Sequence, residues 1–103
     1  MIRHMVHLRF LNSVSEVERE ALFQKLSALQ KEIDGIIEFK KVVNVSVEEP
    51  LVRGFIDAFW FDFVDANARD HYLTHPEHVR VAEELVQCLD GGLEGVFVCD
   101  FEL

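Results

Sequence analysis

A chain of 103 residues, half of them apolar, is the size of one domain and can bury roughly two-thirds of the surface its unfolded form exposes. Nine Phe against five Gly and two Pro place it far from the disordered regime, although 28% of its side chains are charged. Nineteen acidic against ten basic side chains give a formal charge of −9, which repels phosphate backbones and anionic lipid, so neither nucleic acid nor a membrane surface is an expected partner.

The opening Met1 to Val6 shows no short apolar core followed by a small-residue cleavage site, and no run of about 18 apolar residues occurs, which predicts a cytoplasmic location. Cys88 and Cys99 lack metal-ligand spacing and sit in apolar sequence. Two reduced thiols are therefore expected rather than a disulfide.

Residues 2 to 10 alternate, with Ile2, His4, Val6, Leu8 and Phe10 on one parity, the period-2 signature of a strand. Ser15 with Glu18 three residues on is a capping box, and Leu22, Leu26, Leu29 and Ile33 recur at helical spacing until Gly35, which predicts a helix over 16–33. Residues 36–47 are rich in β-branched and aromatic side chains and read as a strand; Glu48, Glu49 and Pro50 open a loop that Arg53 and Gly54 close. Residues 55–64 are apolar on both parities, as in a strand covered on both faces. Asp65 caps a short helix over 66–73. Thr74, Pro76 and Glu77 then form a second start signal, a capping box with proline in the first turn. Ala82, Leu85, Val86 and Leu89 carry a longer helix to Gly91 and Gly92, and 96–103 form a closing strand.

This order predicts one α+β domain over 1–103: a ferredoxin-like split β-α-β with a four-stranded antiparallel sheet and its helices on one face. The other face carries Met5, Trp60, Phe97 and Phe101, with Ile56, Ala58 and Cys99 beside them, too large an apolar patch for a soluble monomer. A homodimer through that open sheet face is expected.

The densest chemistry lies between His71 and Val79, which holds three of the five histidines and the only tyrosine. On an unbroken helix Tyr72 and His78 would point about 240° apart. The break at His75 and Pro76 can bring them together. A histidine near pKa 6.5 takes a proton at neutral pH, and a tyrosine near 10 stays protonated and donates to a developing enolate or phenolate, so His78 is the candidate base and Tyr72 the candidate acid. His75, before the proline, reads as a brace of the break. His71, His75 and His78 have metal-ligand spacing for a continuous helix, which Pro76 interrupts, so neither a metal nor a cofactor is expected. No activated nucleophile or phosphate-binding glycine loop is visible.

Around the pair, the helix-facing parity supplies candidate substrate-binding positions at His4, Val6 and Leu8 on the first strand and Asp57 and Phe59 on the third. Val96 and Val98 add to them from the closing strand, and Leu22, Phe23 and Leu26 from the first helix. Asp57 would orient or charge a neighbouring histidine and repel an anionic substrate.

Five stretches together resemble one family: Ile2 to Val6, Gly35, Phe59 to Phe63, the run His75-Pro76-Glu77-His78-Val79, and Val96 to Phe101. Over nearly its whole length the chain is similar to the stress-responsive dimeric α/β barrel (Dabb) domain family. The resemblance implies a dimeric α/β barrel. Members include bacterial proteins of unknown role, plant stress-induced proteins, and a plant polyketide cyclase that closes an aromatic ring by aldol chemistry without a cofactor. In that cyclase a Tyr and a His placed as Tyr72 and His78 are here form the acid-base pair, with a first-strand histidine matching His4. This chain departs at Asp57, where the cyclase has a further pocket histidine, and at Leu22 and Leu26, where it has aromatic pocket positions. Two functions follow as expectations. One is cyclase-, isomerase- or lyase-like acid-base chemistry on a small carbonyl or phenolic molecule. The other is a non-enzymatic stress-related or ligand-binding homodimer.

Overall fold

In the computed structural model, which describes residues 1–103, the chain runs β1 (Ile2–Leu8), α1 (Glu16–Glu32), β2 (Ile36–Val43), α2 (Glu49–Val52), β3 (Asp57–Phe63), α3 (Ala66–Thr74), α4 (Pro76–Gln87), a 3-10 turn (Gly92–Gly95) and β4 (Val96–Glu102). The strands form one antiparallel sheet in the order β2-β3-β1-β4. This is the ferredoxin-like α+β arrangement that the element order predicts.

Alternation decides which way β1 faces: Ile2, His4, Val6 and Leu8 are buried under the helices, while Arg3, Met5 and His7 are half-buried on the opposite side. The capping box starts α1. Ser15 Oγ accepts from the Glu18 N–H at 3.1 Å, and the Glu18 carboxylate accepts from the Ser15 N–H at 3.4 Å. Leu22, Phe23, Leu26 and Leu29 then bury one stripe of α1. The chain leaves α1 through Gly35 at φ 89°, where a Cβ would lie 2.5 Å from the Ala68 Cβ, so only glycine allows α3 to pack this closely.

Several boundaries differ from expectation, and each difference has a local cause. β1 stops at Leu8, with Phe10 making only an isolated bridge to Leu89. β2 ends at Val43 rather than 47, because the Asn44 side chain turns the backbone: its Nδ2 donates to Phe55 O at 3.1 Å and its Oδ1 accepts from the Ser46 N–H at 2.9 Å. Residues 49–52, expected as loop, form one helical turn with Pro50 in its first turn. Thr74 is not the cap of α4. It is the last residue of α3, and His75 is the cap, its Nδ1 accepting from the Glu77 N–H at 3.1 Å. The residue before a proline is pushed out of the helical region, and His75 sits at φ −66°, ψ 131°.

On the helix side, β3 contributes Phe59, Phe61 and Phe63 to the core. Tyr72 packs against two of them, its ring centroid 4.9 Å from Phe61 and 5.0 Å from Phe63. On the opposite face Phe97 and Phe101 are 56% and 48% exposed. It is less purely apolar than expected, since Arg3 makes a bidentate pair with Asp62 at 2.9 and 3.1 Å and its guanidinium lies 4.4 Å from the centroid of the Trp60 ring. Ile56 precedes β3 rather than lying in it. β3 is thus covered by helices on one side only.

Candidate functional site

A cavity of about 600 Å³ opens between the helix side of the sheet and the α3–α4 pair, within the size range of small-molecule sites. Tyr72 is the last buried residue before the break, and His78 is the third residue of α4. Because the chain turns at His75, their rings meet with centroids 4.1 Å apart. Tyr72 is 1% exposed, and burial pushes its pKa well above the ordinary phenol value, so its hydroxyl remains a donor.

His78 makes one side-chain hydrogen bond, Nδ1 to Leu73 O at 3.2 Å. A carbonyl can only accept, so Nδ1 carries the proton and Nε2 carries the lone pair. Burial lowers the pKa of His78, the Leu73 bond works against this, and His4 and His75 lower it further. The ring is therefore set up as a neutral base.

His4, also buried, donates its Nδ1–H to Asp100 Oδ1 at 2.7 Å, and the other Asp100 oxygen accepts from Arg69 Nη1 at 2.7 Å. Partial burial opposes ionisation of Asp100, but the hydrogen bonds from Arg69 and then His4 outweigh it and hold the carboxyl below the usual range. Arg69 Nε donates to Asp70 at 2.9 Å. The Tyr72 hydroxyl, His78 Nε2 and His4 Nε2 have no partner in the protein, and none of them is sealed away. Three groups able to hold or move a proton thus border one cavity.

Of the expected positions, His4, Val6, Leu26 and Phe59 line this cavity with Tyr72 and His78, and Val96 and Val98 line it from β4. Leu8, Leu22 and Phe23 do not. They pack in the core beneath, at 0%, 7% and 2% exposure. Asp57 is a correction: it pairs with Leu8 and Val43 at the far end of the sheet, lies 3.8 Å from Arg19 and borders a separate depression. It shares a face with His4, but His4 sits two rows away, opposite Phe61. Arg69, Asp70 and Asp100 escaped the sequence reading. The available signal was Asp100, a carboxylate on the helix-facing parity of the closing strand, opposite His4 in register.

The histidine cluster separates into different jobs. His71 is exposed, His75 caps α4 and His78 faces the cavity; no group of three or more His, Cys, Asp or Glu side chains converges on a metal position. Cys88 and Cys99 are free and half-buried. No helix is long and apolar enough to cross a membrane.

Residues 2–103 match the stress responsive A/B barrel domain, Dabb. The chain belongs to this family. This Dabb domain is similar to a dimeric ferredoxin-like protein of unknown function from Jannaschia sp. CCS1, at 27% identity and a TM-score of 0.87 over 99% of this chain and 98% of that one. It is also similar to an Arabidopsis thaliana protein, at 27% identity and a TM-score of 0.90 over 100% of this chain and 95% of that one. It shares its fold with a hydroxynitrile lyase from Passiflora edulis, at 17% identity and a TM-score of 0.84 over 99% and 92% of the two chains. No curated protein matches it.

Folded His78 resists a proton that the unfolded chain accepts near pH 6.5, so on acidification the unfolded state binds more protons and stability falls. In the Dabb domain, nitrogen NMR of His78 is expected to show the Nδ1–H tautomer and a titration midpoint below about 6.5. His78→Gln is expected to lose less stability than the wild type between about pH 7 and pH 5, measured by urea denaturation. A midpoint at or above 6.5 contradicts this account of the ring.

Proposed function

We propose that this Dabb domain binds a small carbonyl or phenolic molecule between the sheet and the α3–α4 pair and moves a proton on it without a cofactor. His78 Nε2 serves as the base and the Tyr72 hydroxyl as the acid. The observation that supports this most is the meeting of the two rings at 4.1 Å beside a cavity of about 600 Å³, each with an unpaired polar atom. A base that is neutral at working pH accepts the proton from a carbon next to a carbonyl, or from a hydroxyl. A phenol that stays protonated donates to the oxygen on which charge develops. The apolar lining from Val6, Leu26 and Phe59 offers the rest of such a molecule a hydrophobic surface beside the pair.

The protein acts as a homodimer through the open sheet face. The Jannaschia relative is dimeric, the exposed Phe97 and Phe101 lie on that face, and the Trp60 indole N–H there is buried without an acceptor.

Proton exchange into the methyl group of 4-hexylacetophenone in heavy water reads the chemistry directly. The wild type is expected to accelerate it, His78→Ala to lose about a hundredfold of that acceleration and Tyr72→Phe about tenfold. Equal rates in all three proteins contradict the assignment. Sedimentation velocity at micromolar concentration is expected to show a wild-type dimer and a monomeric Trp60→Glu variant; a monomeric wild type rules out the interface.

A further inference from the structure

We propose that the cleft selects uncharged amphiphiles, with a hydroxyl- or carbonyl-bearing head on an apolar tail, and rejects anions, because the charge of its single guanidinium is already outnumbered by two paired carboxylates. This deepens, and rests on, the ligand-binding reading above. The cleft has a polar end and an apolar end, set by strand register. His4 on β1 stands opposite Asp100 on β4, with Tyr72 and His78 above them. Two residues along, Val6 stands opposite Val98, and Val96 follows; Ala82 and Leu85 of α4, and Leu89 just beyond it, line the same cleft. Four residues of strand from Asp100 to Val96 span about 13 Å, room for a ring and a hydrocarbon chain of several carbons.

The charges at the polar end decide what head group fits. Arg69 is the only Arg or Lys lining the cleft, and it is bound on one side to Asp70 at 2.9 Å and on the other to Asp100 at 2.7 Å. The His4 ring is likewise committed to Asp100 through Nδ1, 2.7 Å away. A carboxylate or phosphate head would therefore meet two carboxylates and no free cation, and would lose its hydration without a counter-charge. A neutral head has a use for both groups of the pair: an oxygen accepts from the Tyr72 hydroxyl, and its own hydrogen, or an acidic C–H beside it, faces the lone pair of His78 Nε2. Asp70 and Asp100 are in this reading specificity-determining residues, acting by holding Arg69 away from the ligand.

The test compares ligands that share a tail and differ in the head. Calorimetric titration of the whole protein at about pH 7.5 uses 4-hexylphenol, 4-hexylbenzaldehyde and 4-hexylbenzoate, with unsubstituted phenol as the tail-less control. The phenol and the aldehyde are expected to bind, the benzoate about tenfold more weakly or worse, and phenol itself at least tenfold more weakly than its hexyl derivative. Asp70→Asn removes one of the two charges from a side chain that is 63% exposed, so the fold tolerates it. It is expected to bring benzoate binding several-fold closer to that of the phenol. Benzoate binding as tightly as the phenol, or a ratio unmoved by Asp70→Asn, overturns the inference and leaves the pocket reading standing. Failure of every hexyl compound to bind overturns both.

Discussion

Pro76 has no amide hydrogen, and the residue before it cannot stay helical. From that constraint comes the geometry on which the site depends. His75 takes an extended conformation, ends α3, and lends its ring nitrogen to the first free amide of α4. A straight helix through the same residues would hold Tyr72 and His78 on different faces. With the break, Tyr72 remains wedged against Phe61 and Phe63 while His78 swings over it. The wedge anchors the turn in the core, since burying an aromatic ring of this size contributes about 1.5–3 kcal/mol.

A second constraint concerns polar atoms inside an apolar shell. His4 lies 5% exposed among valines, leucines and phenylalanines, an environment that tolerates a polar ring only when it is hydrogen-bonded. Asp100 meets that need at Nδ1, and Arg69 keeps Asp100 ionised and in place. Each bond settles one atom of a pair and leaves the other facing the cavity, as the Leu73 carbonyl does for His78. The open atoms of His4, Tyr72 and His78 thus border the same cavity. Such an arrangement suits a ligand that completes the bonding, in a pocket that is apolar along its length and polar at one end.

The sheet, its faces and the helix that covers it were legible because each rests on a short-range pattern: period-2 burial along β1, a capping box at Ser15, glycine at 35. Position along a face was not legible. Alternation assigns Asp57 and His4 to the same side, but only register reveals that they stand two rows apart, and Asp57 therefore answers to Arg19 and not to the histidines. Helical spacing likewise put Leu22 and Leu26 on one stripe without giving their depth, and of the two only Leu26 reaches the cavity. Arg69 and Asp70 were invisible for the opposite reason. They look like ordinary surface charges of a short helix until β4 brings Asp100 within 2.7 Å of the arginine.

The separation of tasks within nine residues, a brace at His75 and the proposed acid-base pair at Tyr72 and His78, is the core of the functional account. A crystal structure of the protein with 4-hexylphenol tests it most directly. The account predicts the phenol oxygen within about 3 Å of both the Tyr72 hydroxyl and His78 Nε2, with the chain running toward Leu89. A ligand seated instead in the Asp57–Arg19 depression, or on the open face of the sheet beside Trp60, would contradict it.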